Sequence, residues 1–294
     1  MKKKSFWSKF LIWLLVTIIS IFVTLGMLSF SIYKKHKVNV FKLIGQVKTL
    51  NEEVDLNRIV SNAFSEQDLA KAKLMADTNL SGLITYSAQN GYKVNFDNVQ
   101  NNMKGDLRFT DKEVGAIIDT IIKNNPETKY DSNTEDEQDG LDLKIMQVSF
   151  LNITETTLDF NVVMKIDLVE IKDAMTDFPF TLLRKIVPDD LYFSSTVSVA
   201  KGSNAFEYTT TGKSLVFNNL SESETDHIMR AIAAIADNDV PSAQQTAYNV
   251  GSSFVNLLIG NETNTGIAYA LKDAGATGFS FETDGTNNYF VIER

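Results

Sequence analysis

Residues 10 to 33 form a stretch of twenty-four residues without a charged side chain. As an α-helix, this stretch would be about 36 Å long, because each helical residue adds 1.5 Å. The hydrocarbon core of a bilayer is roughly 30 Å thick, so a slightly tilted helix of this length would cross it. The stretch therefore predicts a transmembrane helix, and the rest of the chain has to be a part that faces water.

The flanks of this stretch favour an uncleaved anchor over a signal peptide. Trp7 and Trp13 lie at its start, where amphipathic rings favour the headgroup level of a membrane. A signal peptide has an apolar region of only about 7 to 15 residues, followed by a small-x-small cleavage site. The one candidate site, Ser29-Phe30-Ser31, is a weak match. We therefore predict a basic tail and membrane anchor over residues 1–37, with these flanking lysines: Lys2, Lys3, Lys4, Lys9, Lys34, Lys35 and Lys37.

The orientation of the anchor follows from its short basic tail. Such a tail usually stays in the cytoplasm, and the long domain that follows is translocated. The chain has no cysteine, which agrees with an exported domain that folds without disulfides, as in a Gram-positive-type bacterium. We expect a single-pass protein of the cell membrane with a cytoplasmic N-terminus and an external C-terminal domain.

Charge separates the anchor from the domain. The chain after Lys37 carries 21 basic and 37 acidic side chains, a formal charge of −16, whereas the anchor region carries +7. A surface this acidic repels phosphate backbones. Nucleic acid is therefore not a predicted partner.

Two regions are predicted after the anchor. Residues 38–105 are expected to form a helical juxtamembrane or stalk region, in which Ser65 to Asp68 is typical of a helix start and residues 79–91 are expected to be irregular. An apolar stripe at helical spacing begins this region and either continues the membrane helix or packs on the domain. The stripe consists of Val40, Phe41, Leu43, Ile44, Val47 and Leu50.

Residues 106–294 are expected to form an α+β domain. Thr110 with Glu113 and Ser221 with Glu224 have the spacing of capping boxes, and each pair precedes an isoleucine-striped helix. Residues 157–168 alternate between apolar and polar, which is typical of an antiparallel strand with one buried face. Residues 141–153 alternate with a slip at Met146-Gln147 that predicts a β-bulge. The predicted fold is long antiparallel strands with helices packed on them.

The apolar face of these strands is the candidate ligand site. One interpretation is that helices cover the face and make an ordinary core, and the other is that sheet and helices enclose an apolar groove for lipid. A groove lined by aliphatic and aromatic side chains needs no polar motif. The candidate lining residues are Leu158, Phe160, Val162, Met164, Ile166, Phe193 and Val197.

Signals of enzymatic chemistry are weak. His227 is the one histidine after the anchor and is expected to be a surface residue. Without a second histidine there or any cysteine, typical zinc sites and Cys-His catalysis are excluded. The acidic loop of residues 130–140 lacks the glycine of a calcium loop. Adjacent carboxylates such as Asp189 and Asp190 leave a hydrolase as a third interpretation. We predict no catalytic residues, no metal, no cofactor and no enzyme.

Two segments carry a family resemblance. The anchor is followed by the helix start Leu107-Arg108-Phe109-Thr110-Asp111-Lys112-Glu113-Val114, then by long amphipathic strands, then by Ile186-Val187-Pro188-Asp189-Asp190-Leu191-Tyr192-Phe193. This order resembles the YpmS-like envelope proteins of Gram-positive bacteria over less than half of the chain. Such proteins are thought to be related to tubular lipid-binding domains, so the resemblance implies contact with lipid.

The expected function combines these observations. The first hypothesis is a membrane-anchored extracytoplasmic binding protein of the cell envelope that holds lipid or a lipid-linked precursor in an apolar groove. The alternative is a non-enzymatic scaffold or regulator of another membrane or envelope protein complex. The expected partners are therefore membrane lipid and, under the alternative, another envelope protein.

Overall fold

The computed structural model describes residues 39–96, 99, 101–124, 143–174, 188–235 and 240–294. The predicted anchor over residues 1–37, the acidic loop of residues 130–140 and the Ile186-Val187 part of the resemblance lie outside these ranges. Within them, no helix is both long and apolar enough to cross a membrane.

Helices and strands alternate irregularly along the described chain. The α-helices lie at Val40–Leu50 (α1), Leu56–Ile59 (α2), Glu66–Asn79 (α3), Asp111–Asn124 (α4), Val169–Ala174 (α5), Glu222–Ile235 (α6), Val240–Leu258 (α7) and Ile267–Ala270 (α8). The strands lie at Ile84–Ser87 (β1), Gly91–Val94 (β2), Leu107–Thr110 (β3), Leu143–Leu151 (β4), Thr157–Asp167 (β5), Asp190–Lys201 (β6), Tyr208–Phe217 (β7), Gly278–Thr283 (β8) and Asn288–Glu293 (β9). The fold is α+β, as predicted.

The largest sheet contains four antiparallel strands in the order β4-β5-β6-β7. Strand β5 matches the alternating segment of the sequence, and its apolar residues point to one face except for Val163, which is buried on the other. The register of β4 shifts between Ile145 and Gln147, which confirms the predicted bulge. A bulge lets β4 keep its apolar residues on the same face on both sides of the slip.

Helices cover the apolar face of this sheet. Helix α4 packs on β4, and α7 crosses β5, β6 and β7. Helix α6 packs on β7 and α7, and α1 packs on α6. The face therefore lies inside a layered core of sheet and helices, which is the usual way to remove one side of an antiparallel sheet from water.

A second sheet of three antiparallel strands, in the order β3-β9-β8, adjoins the first. Asn288 Nδ2 of β9 donates a hydrogen bond to the carbonyl oxygen of Phe150 in β4 at 2.7 Å. On the other side, Lys201 at the end of β6 contacts the carbonyl of Phe279 in β8. These polar contacts join the two sheets, each between one central strand and one edge strand.

Two of the predicted capping boxes begin the helices that cover the sheet. The backbone N–H of Thr110 donates to Glu113 Oε2 at 2.8 Å, and the N–H of Glu113 donates to Thr110 Oγ1 at 3.3 Å. Ser221 and Glu224 make the same reciprocal pair at 2.8 and 3.3 Å. Ser65 and Asp68 form a third box at the start of α3. The three helix starts are confirmed.

The prediction of an irregular segment over residues 79–91 is wrong for residues 84–87 and for Gly91, which belong to strands, whereas the turns around them agree with it. Strands β1 and β2 form an antiparallel hairpin there. Gly91 opens β2 at φ +68°, a value that favours glycine, and Tyr86 packs on Tyr92 with ring centroids 4.8 Å apart. The hairpin lies inside the region predicted to be helical, and Ile84 at its base is fully buried.

A single apolar core spans the predicted boundary near residue 105. Leu43, Leu69 and Met103 on one side belong to the same buried cluster as Phe109 and Phe290 on the other. The N–H of Met103 also donates to the carbonyl of Ala274 at 2.8 Å. The region predicted to be a stalk thus contributes to the core of the domain.

Gly212 in β7 provides a test of how closely α7 packs on the sheet. A Cβ at this position would lie 2.2 Å from Cγ of Tyr248 in α7, so the tyrosine would have to move. We expect Gly212→Ala to lower the free energy of unfolding by about 1–3 kcal/mol, the usual effect of overpacking a core. Urea denaturation followed by circular dichroism measures the change.

Gly45→Ala in α1 is the matched control, because no atom lies within 4 Å of its Cβ position. Alanine is a better helix former than glycine, so this variant should be unchanged or stabilised by up to about 1 kcal/mol. Equal stability of the two variants would show that Tyr248 does not pack on β7 as described.

Candidate functional site

The structure brings all seven predicted ligand-binding residues together on one face. Five lie on β5 and two on β6, where Phe160 is directly opposite Val197 and Met164 is opposite Phe193. None is more than 3% exposed. The full set is Leu158, Phe160, Val162, Met164, Ile166, Phe193 and Val197.

Helix α7 lies close against this face. A Cβ on Gly251 of α7 would lie 3.0 Å from Val197 Cγ1 and 3.0 Å from Ser195 Oγ of β6. Because all seven residues are at most 3% exposed, a ligand could reach them only if α7 or another covering element moved away from the sheet. In the described fold they act as core residues, and their role in binding lipid stays a prediction.

An apolar cavity lies elsewhere in the core, where α4, the β1–β2 hairpin and β9 meet. Its volume is about 10 Å³, which is the space of roughly one water-sized probe. Its lining contains none of the seven predicted residues. The lining residues are Leu83, Ile84, Val94, Phe109, Val114, Ile117, Leu258, Ile267, Phe290 and Ile292. A cavity this small does not hold an acyl chain.

The opposite face of the four-stranded sheet carries a row of uncharged polar side chains, one from each strand. Asn161 Nδ2 donates to Thr196 Oγ1 at 2.9 Å, and Ser214 Oγ donates to the same oxygen at 3.2 Å. Ser149 is the register partner of Asn161 on β4. Ser149 Oγ accepts instead from Gln147 Nε2 at 2.8 Å. Because each of these groups has a hydrogen-bond partner and Ser149 and Thr196 are buried, the row is structural.

Asp159 at the end of this face is a buried carboxylate with partners. Burial alone would raise its pKa, but hydrogen bonds from Asn152, Lys213 and Ser198 outweigh that effect and hold the pKa below its usual range. Asp159 is therefore ionised at neutral pH and ties the β4–β5 turn to β7. This arrangement stabilises the sheet rather than activating a carboxyl group.

The adjacent carboxylates that suggested a hydrolase do not converge. Asp189 pairs with Lys172 of α5, whereas Asp190 pairs with Lys165 of β5 at 2.8 Å. Each carboxylate thus has its own lysine. Over the described ranges, no group of three or more histidine or acidic side chains is placed to hold a metal ion.

Helix α1 is the second feature that bears on function. It lies between the predicted anchor and the rest of the domain. Leu43, Val47 and Leu50 of the predicted stripe are buried, while Ile44 is 55% exposed. Part of the stripe therefore packs on the domain, as one of the two possibilities had it. The burial of Val40 and Phe41, and any continuation into a membrane helix, lie outside what the structure describes. Gln46 lies on the same buried side and is only 3% exposed.

His227 of α6 holds the beginning of α1. Its Nδ1 is 2.6 Å from Oε1 of Gln46, and its Nε2 accepts a hydrogen bond from the backbone N–H of Asn39 at 3.2 Å. An Nε2 that accepts carries no proton, so the neutral ring has its proton on Nδ1 and donates it to Gln46. Burial, with help from the positive charge of Lys42, lowers the pKa of His227 below its ordinary value.

Asn218 holds the other end of α1. Its Nδ2 donates to the carbonyl oxygen of Leu50 at 2.7 Å, and its Oδ1 accepts from the N–H of Tyr192 in β6 at 2.6 Å. The residue adopts φ +43°, a left-handed conformation that asparagine tolerates better than most residues. Its neighbour Asn219 donates to the carbonyls of Glu52 and Glu53. Both ends of α1 are thus bonded to the domain.

Sequence reasoning missed this junction. His227 was expected to be an ordinary surface residue, and it is half-buried in a contact with a helix 181 positions away in sequence. One signal was present, because Gln46 interrupts the apolar side of α1 between Leu43 and Val47. A polar side chain on a buried helix face needs a hydrogen-bond partner, although the sequence does not identify which one.

Comparison with protein-family models, with curated proteins and with solved structures returns no significant match. The resemblance to the YpmS-like envelope proteins therefore stays a prediction. The junction at α1 and the buried strand face are the two features from which a function can be argued.

Phe160 distinguishes a packed core from a ligand groove. It is 1% exposed and packs on Phe150 with ring centroids 6.1 Å apart. If the face is core, Phe160→Ala should lower the free energy of unfolding of the ligand-free protein by about 3–5 kcal/mol. Leu151→Ala on β4 is the control, because Leu151 is 46% exposed, and its effect should be within about 0.5 kcal/mol.

Denaturant unfolding of both variants after removal of lipid by detergent exchange measures the difference. A loss below about 1 kcal/mol for Phe160→Ala would mean that its ring is not packed in the free protein. Lipid that then restored wild-type behaviour would favour the groove.

Proposed function

We propose that this chain is a membrane-anchored extracytoplasmic protein of the cell envelope that acts as a non-enzymatic scaffold or regulator of another envelope protein complex. The observation that carries the proposal is the docking of α1 on the domain. Only six residues separate Tyr33, the last residue of the uncharged stretch, from Val40, the first residue of α1. The seven Cα–Cα steps between them reach at most about 25 Å, so an anchored chain would keep its domain close to the membrane.

The docking also supports a fixed orientation. Helix α1 buries three apolar side chains against the domain and is bonded to it at both ends, by His227 and by Asn218. A domain on a flexible linker would sample many orientations. A domain bonded to both ends of α1 has one orientation relative to that helix. A fixed distance and orientation suit a protein that presents a surface to a neighbouring membrane complex.

Lipid binding is the second candidate function. It is supported by the continuous apolar face of β5 and β6 and by the resemblance to the YpmS-like proteins. The close packing of α7 on that face and the small volume of the described cavity favour the scaffold instead. The separate ion pairs of Asp189 and Asp190 give no support to a hydrolase.

The proposed topology can be tested with single cysteines, because the chain has none of its own. We expect an impermeant maleimide to label Ser203→Cys, in the exposed loop between β6 and β7, on intact cells. Ser5→Cys in the basic tail should react only after the membrane is opened. Both variants should stay in the membrane fraction at alkaline pH.

Two results would contradict the topology. Labelling of Ser5→Cys but not Ser203→Cys on intact cells would show the opposite orientation. Extraction of the protein from the membrane at alkaline pH would show that it has no transmembrane anchor. A wild-type protein without cysteine supplies the background for both measurements.

The scaffold role predicts a neighbour at α1. A photo-crosslinking amino acid in place of the exposed Ile44 should give one discrete protein adduct in cells. The same amino acid in place of Leu74 on α3 is the matched control, because Leu74 is 72% exposed but lies on another helix. Equal adduct patterns at the two positions, or none at Ile44 in repeated experiments, would contradict a specific partner at this junction.

A further inference from the structure

We propose that His227 is an acid-sensitive latch that releases the start of helix α1 from the domain. The latch itself rests on the contacts of residues 39–46 with α6. Its consequence, a change in how the domain is held at the membrane, rests on the proposed anchor. The two claims are therefore tested separately.

The hydrogen bonds of His227 require a neutral ring. The N–H of Asn39 points at Nε2, so this nitrogen has to offer a lone pair. Protonation would place an N–H on Nε2, and two donors would then face each other. The bond to Asn39 would be lost, and the bond from Nδ1 to Gln46 would remain.

Loss of the bond between His227 and Asn39 affects α1 directly, because Asn39 is the residue that precedes and caps this helix. Its side-chain Oδ1 accepts from the N–H of Lys42 at 3.2 Å, in the manner of a helix N-cap. The ring of His227 thus fixes the position of the residue from which α1 starts. Loss of the contact weakens docking at the end of α1 that leads toward the predicted anchor.

The charges around the ring oppose its protonation on balance. Lys42 of α1 and Arg230 of α6 add positive charge, and Asp226 adds negative charge. Asp226 is already engaged, because it accepts from Arg230 Nε at 2.8 Å and from Gln244 Nε2 of α7 at 2.6 Å. Nearby, Glu224 caps α6 and faces Lys42 and Arg58. Among the described residues, the two acidic side chains near a charged His227 already have other hydrogen-bond or charge partners.

The direction of the pH effect follows from the lowered pKa. A histidine whose pKa is lower in the docked state stabilises that state while it is neutral, above its ordinary value near 6.5. The stabilisation is lost as the pH falls through the pKa of the docked state, below 6.5. The start of α1 should therefore be held against α6 at neutral pH and loosened in mild acid.

The test uses hydrogen exchange of the full chain in detergent micelles at about pH 7.5 and about pH 5, corrected for the pH dependence of intrinsic exchange. Protection of the α1 amides should fall by roughly three- to tenfold in acid, the equivalent of one hydrogen bond. Peptides from α4 should keep their protection. His227→Gln should remove the pH dependence of α1, because glutamine does not titrate in this range.

His36→Gln is the matched control, because His36 is the other histidine of the chain. This variant should keep the full transition, and it leaves a single histidine signal whose midpoint can be read by NMR. The midpoint of that signal should coincide with the release of α1 and lie below 6.5. Coincidence is expected even if His227→Gln lowers the overall protection of α1.

Three results would overturn the latch: a transition that persists in His227→Gln, equal loss of protection in α4, or an NMR midpoint that does not match release. None of these measurements needs a bilayer orientation or a partner. A failed latch therefore leaves the topology and the scaffold role untouched, and a failed topology leaves the latch in place.

Discussion

The apolar face shared by strands β4 to β7 is the constraint on which the rest of the domain depends. Each strand places every second residue on that face, and the register aligns the apolar positions of neighbouring strands. Burial of one Leu or Phe side chain is worth about 1.5–3 kcal/mol, so a face of this size has to be covered. Helices α4 and α7 provide the cover, and the close approach of Gly251 and Gly212 to their partners shows how little space remains between the layers.

The strands and helix starts could be predicted from sequence because their signals are local. Alternation over residues 157–168, the slip at Met146-Gln147 and the pairs Thr110–Glu113 and Ser221–Glu224 each depend on neighbours within a few positions. The β1–β2 hairpin was missed because its strands are only four residues long and its alternation is weak. Its stability comes from burial of Ile84 and from cross-strand contact, which a short window of sequence does not show.

The candidate site was predictable only in part, for the same reason. The seven apolar residues were assigned correctly to one face, since a period of two fixes it. Whether that face forms a groove or a core depends on α7, whose glycine at position 251 permits close contact with β6. The junction at His227 joins residues more than 180 positions apart, so nothing in the neighbourhood of either residue indicates the other.

Charge gives the docked helix a physical role in the proposed setting. A domain with a formal charge of −16 would be repelled by an anionic membrane surface within a Debye length of about 10 Å. On a flexible linker, such a domain would turn away from the surface to whatever distance the linker allowed. A helix fixed to the domain at His227 and Asn218 shortens the linker to the residues between the anchor and α1. In the proposed setting, a shorter linker narrows the range of distances over which ionic strength can move the domain, so a partner would meet a similar surface over a wider range of salt concentrations.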